Sequence, residues 1–269
     1  MQITEPLSKR VGEALDDVLS GSRMVHAWGL LGLHDIKQRY RRSTLGPFWL
    51  TISTGIMVGT MGLLYAKLLG QELSNYLPYL AVGLVLWNFI SATINDLCIA
   101  FISAENLVKQ VRLPLTVHVL RVVWRNMLIL AHNAIILLIV ALTYSNTNLV
   151  ALLVALAGVA VLGVTAVAGG LILGALCARF RDIPPLVTSL VQLVFFMSPI
   201  LWRPEVLGNR MWMATVNPVY HYIEIVRAPV IAGAIPLTSW GVCLLGMFIS
   251  VLAAFLLLMK YRARVPYWV

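Results

Sequence analysis

Charged side chains are scarce in this sequence, and across its middle they vanish. No Asp, Glu, Lys or Arg occurs in the 53 residues between Arg125 and Arg179. Only 12% of the 269 residues are charged while 60% are apolar, which leaves too little polar surface to clothe a water-soluble globule. Several chemical signatures are missing as well. The chain has no Gly-Lys dipeptide and hence no Gly-x-x-x-x-Gly-Lys-Ser/Thr loop to cradle nucleotide phosphates. It lacks a His-Glu-x-x-His pair and a Gly-x-Ser-x-Gly elbow, which excludes the commonest hydrolase chemistries. Three cysteines, Cys98, Cys177 and Cys243, fall in apolar runs without metal-ligand spacing and read as small apolar fillers.

What is present is a series of long apolar runs. As one helix, the uncharged stretch would extend about 80 Å, against a hydrocarbon layer of about 30 Å. It must turn back once, and the polar segment 144–148 (Tyr-Ser-Asn-Thr-Asn) is the place to do so. Runs of about 20 residues put membrane spans near 48–69, 77–99, 117–143, 149–178, 183–201 and 237–259. Backbone groups in lipid must be paired within a helix or a closed barrel, and the alternation of a barrel is absent. Asp96 is the only acidic residue in any of these spans, so the carboxylate arrays of proton-driven pumps are missing too. Paired inverted repeats with interrupted helices are not evident. The arm of 47 residues before the first span has no small-residue cleavage site, which argues against a removable signal peptide.

Orientation follows from the cations. With both termini in the cytoplasm, sixteen Lys and Arg fall on the inner side, seven of them in the amino-terminal arm. Only Lys67, Arg203, Arg210 and Arg227 fall outside. This is a strong positive-inside bias. It also accounts for the net charge of +9 through attraction to anionic lipid heads, with no nucleic acid needed.

Four segments carry more character than a span requires. In the arm, Gly29, Leu33, Ile36 and Tyr40 recur at helical spacing with Asp35, Lys37, Arg39 and Arg42 on other faces, as in a helix lying in the headgroup plane. It reads either as an anchor or as a set of guanidinium groups that meet a lipid phosphate. Gly46-Pro47 then breaks the helix. The inner loop 103–114 (Ser-Ala-Glu-Asn-Leu-Val-Lys-Gln-Val-Arg-Leu-Pro) predicts a short helix with Leu107 and Val111 on one face, ended by Pro114. Such a helix is too short to stand alone in water and must dock, on the spans or on a partner. In 179–185 (Arg-Phe-Arg-Asp-Ile-Pro-Pro) Asp182 is a candidate cap of the fifth span. In the long outer segment, Asn217-Pro218 predicts a helix start and Pro229 its stop, with Trp202, Trp212, Tyr220, Tyr222 and Glu224 nearby. These aromatics form an interfacial belt or line a passage where sugar rings stack. Within the spans, Gly55/Gly59 and Gly170/Gly174 are set for close helix packing. Asp96, Arg121 and Arg125 suggest an ion pair or snorkelling, and His132 and Asn133 a polar path or an interhelical hydrogen bond.

The block 34–49 (His-Asp-Ile-Lys-Gln-Arg-Tyr-Arg-Arg-Ser-Thr-Leu-Gly-Pro-Phe-Trp) resembles the arm-to-first-span signature of type 2 ABC exporter permeases that move bacterial polysaccharides. Residues 105–114 resemble their coupling segment, and 179–183 and 217–227 match later landmarks in the same order. Leu113 departs from the aromatic residue expected before Pro114. The resemblance implies an all-α integral membrane protein forming a single transmembrane permease domain over 1–269. It would have six transmembrane helices, an amino-terminal amphipathic interfacial helix, a short cytoplasmic coupling helix and outer re-entrant half-helices between spans five and six.

It further implies a homodimer in the bacterial inner membrane, energised by two nucleotide-binding ATPase subunits. ATP and Mg would sit on those subunits, and this chain would hold no cofactor or metal and no catalytic residue. By the same resemblance Glu105, Asn106, Lys109, Gln110 and Arg112 would meet the ATPase. Lys37, Arg39, Arg41 and Arg42 would border the gate for a lipid-linked polysaccharide, such as one on undecaprenyl pyrophosphate. Trp202, Trp212, Tyr220, Tyr222 and Glu224 would line its path and exit. O-antigen is the favoured cargo; capsule, teichoic acid, a small lipid or a drug are alternatives that keep the fold. A membrane-embedded transferase would need a catalytic carboxylate or His cluster at the interface, which the sequence lacks, and a channel would need no ATPase partner.

Overall fold

The computed structural model describes residues 6–41, 43–46, 48–111, 113–144 and 148–269. Arg42 and Arg112, Pro47 and most of the 144–148 turn therefore lie outside the described residues. Among those described there is no strand.

Two helices precede the first span: α1 (Leu7–Arg23) and α2 (Val25–Arg39). The six apolar helices follow as α3 (Phe48–Leu68), α4 (Leu73–Cys98), α6 (Leu115–Tyr144), α7 (Leu149–Arg179), α8 (Ile183–Met197) and α11 (Leu237–Tyr261). A one-and-a-half-turn helix, α5 (Glu105–Gln110), joins α4 to α6. Between α8 and α11 the chain makes a 3₁₀ turn (Pro204–Arg210), the short α9 (Trp212–Thr215) and α10 (Pro218–Ala232). Large apolar side chains such as Leu64, Leu142, Leu156 and Phe248 stand exposed on the outside of the bundle. A surface of that kind is stable only against lipid.

The helix α4 is central. Its run from Leu80 to Leu86 is buried all round, as expected of a helix packed on every side. On α7, Gly170 and Gly174 let α4 approach: a Cβ there would lie 2.6 Å from Leu97 Cδ2 and 2.9 Å from Phe101 Cε2. The other expected small-residue pair does not work this way. Among the described residues nothing lies within 4 Å of a Cβ at Gly55 or Gly59; α3 docks instead through Thr54, Val58, Gly62 and Ala66.

Among the described residues five helices are long enough to cross, whereas α8 has 15 residues and reaches only about 22 Å. It stops at Met197, so the span expected to run to 201 is completed by non-helical chain. Irregular backbone at that depth must be buried and paired. Tyr79 Oη donates to the carbonyls of Pro199 (2.8 Å) and Trp202 (3.2 Å), and Tyr76 Oη donates to Leu201 (2.6 Å). A second donor reaches the Pro199 carbonyl from α10, where Arg227 Nη1 lies 2.9 Å away.

Candidate functional site

At the end of the bundle that carries α5, the arm is bound to the spans by charge. Asp17, only 1% exposed, accepts from the backbone amides of Leu115 (3.0 Å) and Thr116 (3.1 Å). It also accepts from the Thr116 hydroxyl (2.8 Å) and from Arg262 Nε (3.0 Å). The first turn of α6, which follows Pro114, is thus capped by a residue from α1. Gly21 allows the contact, since a Cβ there would sit 2.8 Å from Thr116 Cβ.

Asp35 on α2 is the second tie. It accepts from Arg121 Nε at 2.7 Å and Arg125 Nη1 at 3.3 Å, while Arg125 Nη2 reaches Asp96 on α4 at 2.7 Å. Asn126 Nδ2 donates to the same Asp96 at 3.0 Å. Two carboxylates and two guanidinium groups thus neutralise one another at the membrane boundary, which offsets their desolvation. The amphipathic face expected on α2 is therefore rotated by one position. Gly32 and Ile36 are buried and Asp35 points inward, whereas Leu33 is exposed. Arg39 and the buried His118 line a cavity of about 150 Å³ around this network.

Beyond Asn126 the polar lining continues without charge. A cleft of about 440 Å³ between α3, α4 and α6 is lined by Ser53, Asn88, Ser91, Asn95, Asn126 and Asn133, among apolar neighbours. Asn133 is 4% exposed and its Oδ1 has no hydrogen-bond partner among the described residues. Thr188 of α8 donates to Asn95 Oδ1 at 2.7 Å, tying the fifth span to the cleft. The sequence pairing of His132 with Asn133 separates here: His132 Nδ1 lies 2.7 Å from the Leu128 carbonyl of its own helix.

On α5, Glu105 and Lys109 form an exposed ion pair at 2.5 Å. The Lys109 hydrogen bond and charge hold the Glu105 carboxyl below its ordinary range, and Arg181 adds a weaker pull. Asn106 and Gln110 are exposed beside them. The helix ends earlier than expected, because Val111 is already extended (φ −121°, ψ 121°) and lies outside it, three residues before Pro114. Lys37, Arg39 and Arg41 are exposed along and just beyond the end of α2. Asp182 occupies the cap position of α8 but makes no side-chain cap bond.

At the opposite end, Asn217 caps α10 by accepting from the Val219 amide at 3.0 Å, as the sequence predicts. Pro229 does not stop this helix, which runs to Ala232 and ends at Gly233 with φ +64°. The Ile225 carbonyl, which a residue with an N–H at 229 would engage, faces α7 at Gly158, where a Cβ would lie 3.0 Å away. Arg227 is 2% exposed; its Nε and Nη2 hold Glu224 Oε2 at 2.9 and 2.7 Å, and its guanidinium lies 3.9 Å from the Tyr79 ring centroid. It is an internal strut and not a surface charge.

The aromatic residues singled out in the sequence do not all gather. Trp212 is 62% exposed, Trp202 donates from Nε1 to the Phe196 carbonyl, and Tyr220 stacks edge-on with His221. Tyr222 turns the other way, with its hydroxyl near Thr165 of α7 (3.3 Å) and the Cys243 carbonyl of α11 (3.4 Å). Sequence reasoning missed Asp17, Tyr76 and Tyr79. Their only signal was a polar group on an otherwise apolar helix face.

The ABC-2 type transporter family matches residues 26–231 of this chain. The chain is 25% identical over 188 residues to the O-antigen export system permease protein RfbA of Myxococcus xanthus, covering 69% of this chain and 72% of that protein. It is 22% identical over 187 residues to a protein of the same name from Klebsiella pneumoniae, with the same coverage. The family match spans α2 through α10, the elements that build the charged network, the polar cleft and the buried strut. This chain therefore belongs to the ABC-2 type transporter family, as a membrane-spanning permease subunit that is not itself catalytic and whose family implies a separate ATPase partner.

Proposed function

We propose that this protein is the membrane subunit of an ATP-driven exporter that carries a lipid-linked polysaccharide, O-antigen first, across the bacterial inner membrane. Two copies and two ATPase subunits make the working unit, with ATP and Mg bound on the ATPases and both termini of this chain in the cytoplasm. The observation that carries the cargo assignment is the uncharged cleft lined by Asn88, Asn95, Asn126, Asn133, Ser53 and Ser91. Carboxamides and hydroxyls offer donors and acceptors to sugar hydroxyls and hold no fixed charge to trap an ion. Polar side chains inside a membrane are costly, and their facing one cleft suits a hydrated cargo better than an apolar drug.

Asn126 joins this cleft to the network around Asp96, next to the exposed cations Lys37, Arg39 and Arg41 that favour lipid phosphates. Arg42 completes that basic group in sequence. Trp212, Tyr220 and Trp202 stand at the far end, where sugar rings would leave; Tyr222 and Glu224 shape that end from within. The relatives named O-antigen export permeases support the same reading.

Deleting the protein from its host tests it. Surface polysaccharide should be lost while the lipid-linked polymer accumulates on the cytoplasmic leaflet, and the wild-type chain should restore export. Asn88→Leu with Asn133→Leu should restore it about three- to tenfold less well, the loss of one or two hydrogen bonds to cargo. Unchanged surface polysaccharide in the deletion strain, with loss of a different lipid or drug from the medium, would replace the glycan by that cargo.

A further inference from the structure

The carboxyl terminus does not trail away from α11. After Tyr261 the chain folds back through a 3₁₀ turn, Val265–Tyr267, that packs against both α5 and the end of α7. Val265 is fully buried and Val269 nearly so, among Ala100, Phe101 and Ala178 at the ends of α4 and α7. Trp268 stacks at 5.6 Å on Tyr261, and the Arg179 guanidinium lies between two rings, 5.3 Å from Trp268 and 5.1 Å from Phe180. These contacts pin the turn and leave one large side chain outside. Tyr267 is 87% exposed, and Phe180, on the neighbouring turn 179–182, is 49% exposed.

Three segments far apart in sequence thus share one surface. Arg181 is close enough for its charge to act on Glu105 of α5, and the carboxyl-terminal turn touches α5 directly. The surface mixes an ion pair with two exposed aromatic rings and an arginine. Exposed aromatic and arginine side chains are the types enriched at protein interfaces, and a Glu–Lys pair suits the polar rim around them. A membrane does not suit it, because the same surface exposes the charges of Glu105, Lys109 and Arg181.

We propose that the carboxyl-terminal turn is part of the surface that receives the ATPase subunit, with Tyr267 and Phe180 as aromatic anchors beside α5. This rests on the exporter reading and specifies where its partner sits. A soluble ATPase would bury Tyr267 against its own apolar pocket and pair its charges with Lys109 and Arg181. The carboxyl-terminal turn would then move with α5 as one body when the ATPases close.

The test uses full-length protein in lipid nanodiscs and the purified cognate ATPase subunit, with binding measured as Kd. Tyr267→Ala and Phe180→Ala should each weaken binding about tenfold or more, and Tyr267→Phe should bind as wild type. Tyr144→Ala, which truncates an exposed aromatic at the far end of α6, should bind as wild type as well. Because Tyr267 is almost wholly exposed, its truncation leaves the fold intact, and an unchanged elution profile checks this. Wild-type affinity in Tyr267→Ala would overturn the docking assignment and leave the exporter reading standing. A wild-type protein that fails to bind the ATPase would overturn both.

Discussion

Replacing Asp17 by alanine removes a buried carboxylate that accepts four hydrogen bonds, two of them from the amides that open α6. The Leu115 and Thr116 amides would be left without an acceptor in a site water does not reach. Each such orphan costs about 1–3 kcal/mol, in line with about 1–2 kcal/mol for losing a helix cap. Arg262 adds less, about 1 kcal/mol or below, because its side chain is 33% exposed and can turn to water. The total is about 3–5 kcal/mol for Asp17→Ala. Asp17→Asn keeps one acceptor oxygen and should lose about half of that. Titration of detergent-solubilised protein with a denaturing detergent, followed by tryptophan fluorescence, would read the difference. Hydrogen exchange would localise it, since the Leu115 and Thr116 amides should lose protection before the middle of α6. A stability for Asp17→Ala within about 0.5 kcal/mol of wild type would refute the view that α1 caps the third span.

Other substitutions separate the remaining ties. Arg227→Met strands Glu224 and removes one of two donors from the Pro199 carbonyl, and should cost about 3–5 kcal/mol. Adding Glu224→Gln should recover more than half of it, as read in the same unfolding assay. A double-mutant cycle of Asp35→Asn and Arg121→Gln should give a coupling of about 1–3 kcal/mol, moderated by the partial exposure of Arg121. Independence of the two sites would show that the Asp35–Arg121 pair does not help to hold α2. Reversing Lys109 and Arg112 to Glu should cut export per ATP hydrolysed about tenfold or more, with hydrolysis retained, if α5 carries the stroke. An unchanged ratio would remove α5 from that path.

The crossings were legible because a lipid-facing helix needs only a long uncharged run, and a helix covers most of each expected span, the fifth only as far as Met197. The starts of α3, α7 and α11 fall on the expected residues, where Gly46, Asn148 and Pro236 punctuate the chain. The partners of the polar residues were not legible. Asp17 lies 98 positions from Leu115 and 245 from Arg262, separations that carry no periodic signal. Helical spacing sets Asp35 off the apolar face of α2; two guanidinium groups on α6 draw it inward and rotate the docking face by one residue.

On local grounds Pro229 reads as a stop. Packing of α10 on α7 at Gly158 lets the helix tolerate the missing N–H. The fifth span ends early for a reason found outside it, the three donors on Tyr76, Tyr79 and Arg227 that satisfy its open carbonyls. The exposed cations at the end of α2 and the short helix between α4 and α6 could be read from sequence, as elements and not as a site. The cleft could not, since Ser53, Asn88 and Asn133 meet only when α3, α4 and α6 are packed together.

Reconstitution tests the central claim most directly. The protein and its cognate ATPase subunit, in proteoliposomes loaded on the ATPase-facing leaflet with a lipid-linked polysaccharide, should deliver the glycan to the opposite side only when ATP and Mg are supplied. Delivery should stop when the ATPase is left out, and fall in the Asn88→Leu, Asn133→Leu variant without loss of ATP hydrolysis. Glycan that crosses without ATP, or stays in place while ATP is hydrolysed at the wild-type rate, would contradict the account.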